Sequence, residues 1–198
     1  MDIRREGRVQ RMPAFNPLRI VAGIGAILFP LLNLLPLRYI DIEHEGGSNM
    51  TALGIFTLAY ALLLPLVFVL YQELSVAAQP WSAIAALFGA WPLMGIVLGA
   101  TNLVSVTIAA LIMAAGLTLW IGLAGYLAFR SRLLPLVWAV FSMAIAAVAI
   151  VVAMLSFVPP LIVVAGVLGG IDVLAVAIWS VWTGIIVLLR ARITPTDA

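Results

Sequence analysis

This chain of 198 residues lacks several residue types that carry chemistry in other proteins. It contains no cysteine, which excludes disulfides, thiolate metal ligands and a cysteine nucleophile. It contains no lysine either, so no Schiff base to retinal or pyridoxal phosphate can form. The single histidine, His44, cannot supply both axial ligands of a haem. We therefore expect no cofactor and no metal site.

Charged residues are also scarce. They make up 9% of the chain, whereas 65% of its residues are hydrophobic. In soluble domains roughly a quarter of all residues are charged. In hydrocarbon every backbone N–H and C=O needs an internal partner, so continuous apolar runs must form helices. The arginines are scattered at the ends of these runs rather than clustered, which does not favour nucleic-acid binding. The composition predicts an all-α integral membrane protein that lies in a lipid bilayer.

Six long apolar runs fill most of the chain. Each reaches the roughly 20 residues that a hydrocarbon core of about 30 Å requires, or falls just short of that number. They predict one domain, residues 18–189, folded as a six-helix transmembrane bundle between a basic cytoplasmic tail, 1–17, and a C-terminal cytoplasmic tail, 190–198. The runs are Leu18–Ile40, Thr51–Tyr71, Trp81–Gly99, Leu103–Phe129, Leu133–Phe157 and Leu161–Leu189.

The arginines predict the orientation of this bundle. With both termini in the cytoplasm, only Arg38 lies outside, as the positive-inside rule expects for a multi-pass protein of the inner (plasma) membrane. The connection Gln72–Pro80 then lies inside. An inner belt of aromatic residues is predicted from Tyr71, Trp81, Tyr126 and Trp138. Other tryptophans lie deeper and are expected to pack in the bundle or to contact acyl chains, namely Trp120, Trp179 and Trp182.

Asp172 is the one acidic residue well inside an apolar run. A charged carboxylate near mid-bilayer costs at least about 2.5 kcal/mol on insertion scales. Asp172 should therefore face protein or water, or stay protonated. Two interpretations are open. It either binds an ion or ligand, or it is a hydrogen-bonded carboxyl that joins helices, since Ala165 and Gly169 on the same helical face allow close packing.

One hypothesis places a ligand pocket around the Asp172 carboxyl. Arg38, Asn33, Asn102 and Asp172 could surround one cavity that opens to the outer half of the membrane and suits a small anionic or polar ligand. Two glycine pairs with the spacing of close helix contacts, Gly95 with Gly99 and Gly166 with Gly170, favour packing within the chain. An interface between protomers is the alternative for these pairs.

Two segments in the last third of the chain carry a family resemblance. They are the turn Arg130–Pro135 (RSRLLP) and the segment Ile171–Trp179 (IDVLAVAIW). Together they resemble a family of uncharacterised bacterial multi-span integral membrane proteins, which share a similar turn between two late helices and an acidic residue ahead of a tryptophan in the last helix. The resemblance implies this architecture in a bacterial inner membrane and transfers no catalytic residues.

The pattern favours a non-enzymatic protein. We expect an accessory or structural subunit, or a binder of a lipid or small apolar ligand, with other membrane subunits or further copies of the chain as partners. The alternative is a small transporter or oligomeric channel that uses Asp172 as a proton or cation site. An enzyme is not favoured, because a lone carboxylate in the membrane lacks the second acid, base, metal or nucleophile that most mechanisms need.

Overall fold

Five α-helices make up the computed structural model, which describes residues 16–34, 50–101, 103–104 and 106–191. This part of the chain contains no β-strand, so the predicted all-α class is confirmed there. A 3-10 turn, Pro159–Leu161, precedes the last helix. The helices are α1 Pro17–Leu34, α2 Met50–Ala100, α3 Val106–Ser131, α4 Leu136–Ser156 and α5 Ile162–Leu189.

Within the described residues, four helical stretches are long and apolar enough to cross a membrane. They lie in α2, in α3, in α4 and in the 3-10 turn continued by α5. The apolar stretch of α1, Pro17–Asn33, is shorter. These lengths follow from the predicted apolar runs, and they indicate a membrane protein.

α2 is a 51-residue element that is broken in the middle. Ala78 has a non-helical backbone (φ −156°, ψ 63°) two residues before Pro80, which lacks an N–H and whose ring clashes with the preceding turn. The chain folds back here, because a Cβ built on Gly89 would lie 2.8 Å from Cγ1 of Val67. A straight helix would separate these two residues by about 33 Å. The halves 50–77 and 79–100 are therefore antiparallel neighbours.

The helices pack in a closed order. α1 contacts both α2 and α5, and the contacts α2 with α3, α3 with α4 and α4 with α5 complete the circle. Glycines allow the closest approaches. A Cβ on Gly184 of α5 would lie 2.6 Å from the carbonyl oxygen of Gly23 in α1, and one on Gly95 would lie 2.8 Å from that of Ala109 in α3. The predicted packing of Gly95 within the chain is confirmed.

Three tryptophans form the centre of the core. Trp120, Trp138 and Trp179 are each at most 1% exposed, which confirms the prediction for Trp120 and Trp179. The prediction that Trp138 belongs to an interfacial belt is wrong, because its indole is completely buried against α5. Two other residues of the predicted belt, Trp81 and Tyr126, are exposed on the bundle surface.

The four arginines in the described part of the chain lie at one end of the bundle. The N–H of Asn16, just before α1, donates to the carbonyl of Ala191, just after α5, at 3.3 Å. The connection between α3 and α4 lies at the same end, because Arg190 Nη2 donates to the carbonyl of Leu133 at 3.0 Å. We call this the arginine end. The arginines are Arg19, Arg130, Arg132 and Arg190.

Candidate functional site

A three-helix ion cluster lies at the arginine end. Glu73 of α2 lies between Arg19 of α1 and Arg190 at the end of α5. Its Oε1 is 3.2 Å from Arg19 Nη2, and its Oε2 accepts a hydrogen bond from Arg190 Nη1 at 3.1 Å. Arg19 Nη1 also donates to the carbonyl of Arg190 at 2.8 Å. The cluster therefore fastens three helices that are far apart in sequence.

Both arginines of the cluster have N–H groups without a partner among the described residues. Each guanidinium directs one Nη to Glu73 and the other to a backbone carbonyl. Because a guanidinium carries five N–H groups, about three on each arginine have no partner within the described residues. Two guanidiniums and one carboxylate also leave one formal positive charge in excess. The cluster is therefore able to accept an anion without losing its internal contacts.

An open cavity of about 450 Å³ adjoins this cluster. That volume lies in the range of small-molecule sites in proteins. Its wall combines the charged groups with the Gln72 amide and with two apolar side chains, Val76 and Leu133. Val76 is 85% exposed and Leu133 is 38% exposed, so the cavity has an apolar rim. The charged lining residues are Arg19, Glu73 and Arg190.

The apolar pattern of the sequence did not single out Glu73. The polar residues after Tyr71 predicted the end of the second apolar run and a connecting loop, whereas the helix continues to residue 77. This added turn brings Glu73 against α1 and α5, where its side chain is only 10% exposed. The signal available in the sequence was an acidic residue in a connection between two apolar runs, on the side that the arginines are predicted to occupy.

A second polar cluster joins α4 to α5 inside the core. Trp138 Nε1 donates to Thr183 Oγ1 at 2.8 Å, and Trp179 Nε1 donates to Ser142 Oγ at 2.7 Å. Each hydroxyl follows a tryptophan by four residues on its own helix and donates to the carbonyl of that tryptophan. The arrangement is reciprocal between two antiparallel helices. Every side-chain donor in the cluster therefore has an acceptor, which indicates a structural role for the cluster.

Asp172 lies in the first half of α5. Asp172 is partly buried. Its Oδ1 is shielded from solvent and has no hydrogen-bond partner in the described part of the chain. The hydroxyl of Ser142 on the neighbouring helix α4 is engaged with Trp138 and Trp179. The described residues therefore provide no helix-joining hydrogen bond for Asp172. Its role in ion or ligand binding stays a prediction.

The other residues of the predicted outer pocket are only partly covered. Asn33 lies at the end of α1 and lines a very small cavity together with Pro30 and, on α5, Val173 and Val176. Asp172 does not line this cavity. Arg38 and Asn102 lie outside the described residues. The structure thus brings Asn33 to the α5 segment that follows Asp172, and it leaves the complete pocket a prediction.

The first half of α5 packs less than the other membrane-length helices. Only 6% of the residues in its most apolar stretch are buried, against 28% to 39% in the other three. Gly166 and Gly170 have open space where a Cβ would stand. Among the described residues, this glycine pair does not pack within the chain, unlike Gly95.

Comparison of this chain with protein-family models, with curated proteins and with solved structures finds no match.

Proposed function

We propose that this chain is a non-enzymatic, multi-span membrane protein that binds the phosphate group of an anionic phospholipid in the cavity at the arginine end. The observation that supports this proposal most directly is the cavity lined by Arg19 and Arg190, whose guanidiniums have N–H donors without a partner among the described residues. Guanidinium groups form strong, charge-assisted hydrogen bonds with phosphate oxygens. The excess positive charge of the cluster favours an anion over a cation.

The position of the cavity favours a lipid over a soluble phosphate. Arg19 lies in the first turn of α1 and Arg190 directly after α5, which is the level of the headgroups if these helices cross the bilayer. The exposed Val76 and Leu133 at the rim would contact the glycerol backbone and the first acyl carbons. A soluble phosphate ester would use only the charged part of this wall.

Lipid retention by the purified protein tests the proposal. Native mass spectrometry with phosphatidylglycerol should give saturable binding, and Arg19→Gln should weaken it about tenfold, because a charge-assisted hydrogen bond is lost. Arg130→Gln is the matched control, since Arg130 lies at the same end and contacts Tyr126 outside the cavity. Equal binding by the two variants contradicts the proposal. Complete competition by equimolar glycerol 3-phosphate identifies a soluble ligand instead.

We also propose six membrane spans, with both termini on the cytoplasmic side of a bacterial inner membrane. The fold-back of α2 at Ala78 supports two spans within that element. The presence of all four described arginines at one end agrees with the positive-inside rule. The contact between Asn16 and Ala191 supports a common side for the start of α1 and the end of α5.

Transport is a second candidate function, favoured by Asp172. Its shielded Oδ1 has no partner in the described part of the chain. At the spacing of a helix, Thr183 and Arg190 follow Asp172 on the same face of α5. Under this alternative, Asp172→Asn should abolish proton or cation flux in proteoliposomes while the protein stays folded. Unchanged flux in this variant excludes Asp172 as the transport site. An accessory-subunit role, with the loosely packed half of α5 against another subunit, also stays a prediction.

A further inference from the structure

Glu73 has a feature that phosphate binding alone does not require. Its side chain is about nine-tenths buried, and it lines the cavity between the two arginines. Its Oε2 accepts a hydrogen bond from Arg190, whereas its Oε1 receives none within the described residues, although the charge of Arg19 lies 3.2 Å away. A buried carboxylate oxygen without a donor is unfavourable. A ligand that brings a donor to this oxygen would remove that cost.

We infer that Glu73 makes the cavity selective for phospholipid headgroups that carry a hydroxyl group beside the phosphate, of the phosphatidylglycerol type. This inference rests on the proposed function, because the arginines must hold the phosphate before Glu73 can select the rest of the headgroup. The phosphate would lie against the N–H groups of Arg19 and Arg190 that have no partner among the described residues, and a headgroup hydroxyl would donate to Oε1 of Glu73.

The charge of the cluster distinguishes a hydroxyl from other headgroup donors. An ammonium group could also donate to Glu73, but it would lie beside two guanidiniums in a site that already has one positive charge in excess, and like charges repel. A choline group has no N–H or O–H to donate. A neutral hydroxyl satisfies Oε1 without adding charge, and it leaves the negative charge of the phosphodiester to balance the cluster.

Two lipids of equal charge isolate the contribution of the hydroxyl. Phosphatidylglycerol and phosphatidylethanol with identical acyl chains carry the same phosphodiester, and phosphatidylethanol lacks the hydroxyl groups. Dissociation constants for the two lipids are measured by native mass spectrometry of the full chain in neutral detergent. We expect the wild-type protein to bind phosphatidylglycerol about tenfold more tightly, as a hydrogen bond to a buried carboxylate implies.

Variants of Glu73 assign this preference to its carboxylate. Glu73→Leu should reduce the ratio of the two dissociation constants to about one, while binding of both lipids becomes tighter because the competing negative charge is gone. Glu73→Gln keeps an acceptor oxygen and should give an intermediate ratio, so it decides the question if Glu73→Leu does not fold. Arg130→Gln should keep the wild-type ratio.

The outcomes separate the two proposals. Equal binding of both lipids by the wild-type protein, with a loss of binding in Arg19→Gln, overturns the inference and leaves the phosphate site intact. A tenfold preference that persists in both Glu73 variants also overturns it. Absence of binding of either lipid overturns the proposed function together with the inference.

Discussion

At the scale of single residues, the reciprocal bonds between α4 and α5 explain how large polar aromatic groups can lie in this core. A buried indole N–H needs an acceptor, because its transfer out of water is otherwise unfavourable. Ser142 and Thr183 provide these acceptors for Trp179 and Trp138. Each hydroxyl then donates to a helix carbonyl that already accepts a backbone bond, so no donor in the cluster is left over.

The cost of removing one acceptor can be measured. Ser142→Ala leaves the indole N–H of Trp179 buried without a partner, and we expect the free energy of unfolding to fall by about 1–2 kcal/mol. Unfolding in mixed micelles followed by tryptophan fluorescence measures this change. The control is Ser156→Ala on the same helix, where the hydroxyl is exposed and bonds only to the carbonyl of Val152. Equal stability losses in the two variants would contradict a special role for the cluster.

The same residues show what could be predicted from the sequence and what could not. The depth of Trp179 in its apolar run correctly predicted a packed position. Trp138 lies three residues after the turn at Pro135, and this proximity to a span end suggested an interfacial belt. Its burial depends on the position of Thr183, which lies 45 residues away in the chain. Single-sequence periodicity contains no information on such a pair.

At the scale of elements, the apolar runs predicted helices well and their ends poorly. The second run was ended at Tyr71 because polar residues follow it, but a helix at a membrane surface can continue with polar side chains. The break occurs at Ala78 instead, where Pro80 disrupts the backbone. The arginine-end site was missed for this reason, since Glu73 reaches Arg19 and Arg190 only from the extra helical turn.

The fold-back of α2 is directly testable by distance. The chain has no cysteine, so spin labels can be placed at two introduced cysteines without background. Leu58 and Val97 are both exposed and lie at similar distances in sequence from Ala78. We expect a label separation below about 25 Å, because adjacent helices pack 8–10 Å apart. A continuous helix would separate the two positions by about 58 Å, and such a distance would exclude antiparallel halves.

At the scale of the whole molecule, the composition fixed the class of protein through one physical constraint. A chain with 65% hydrophobic residues and 9% charged residues must satisfy its backbone within helices in lipid. The arginine pattern then predicts an orientation, because it depends only on which runs the arginines flank. The closed packing order of the helices could not be predicted, since it depends on contacts such as that between Gly23 and Gly184.

Accessibility labelling tests the orientation. Arg132 and Thr101 are exposed and lie at opposite ends of α3. With a membrane-impermeant maleimide, Thr101→Cys should react in intact cells, and Arg132→Cys should react only after the membrane is opened. The reverse pattern would invert the proposed topology. Reaction of both variants in intact cells would mean that α3 does not cross the membrane.

The attachment of α5 is uneven along its length. Among the described residues, its polar links to the other helices lie in its second half or directly after it, at Trp179, Ser180, Thr183 and Arg190. The first half has glycines in open space and little buried surface. A helix held in this way is fixed at the arginine end and can pivot about that end. Any displacement of α5 is therefore expected as a tilt that moves its first half, which carries Asp172, away from the bundle while the ion cluster stays closed.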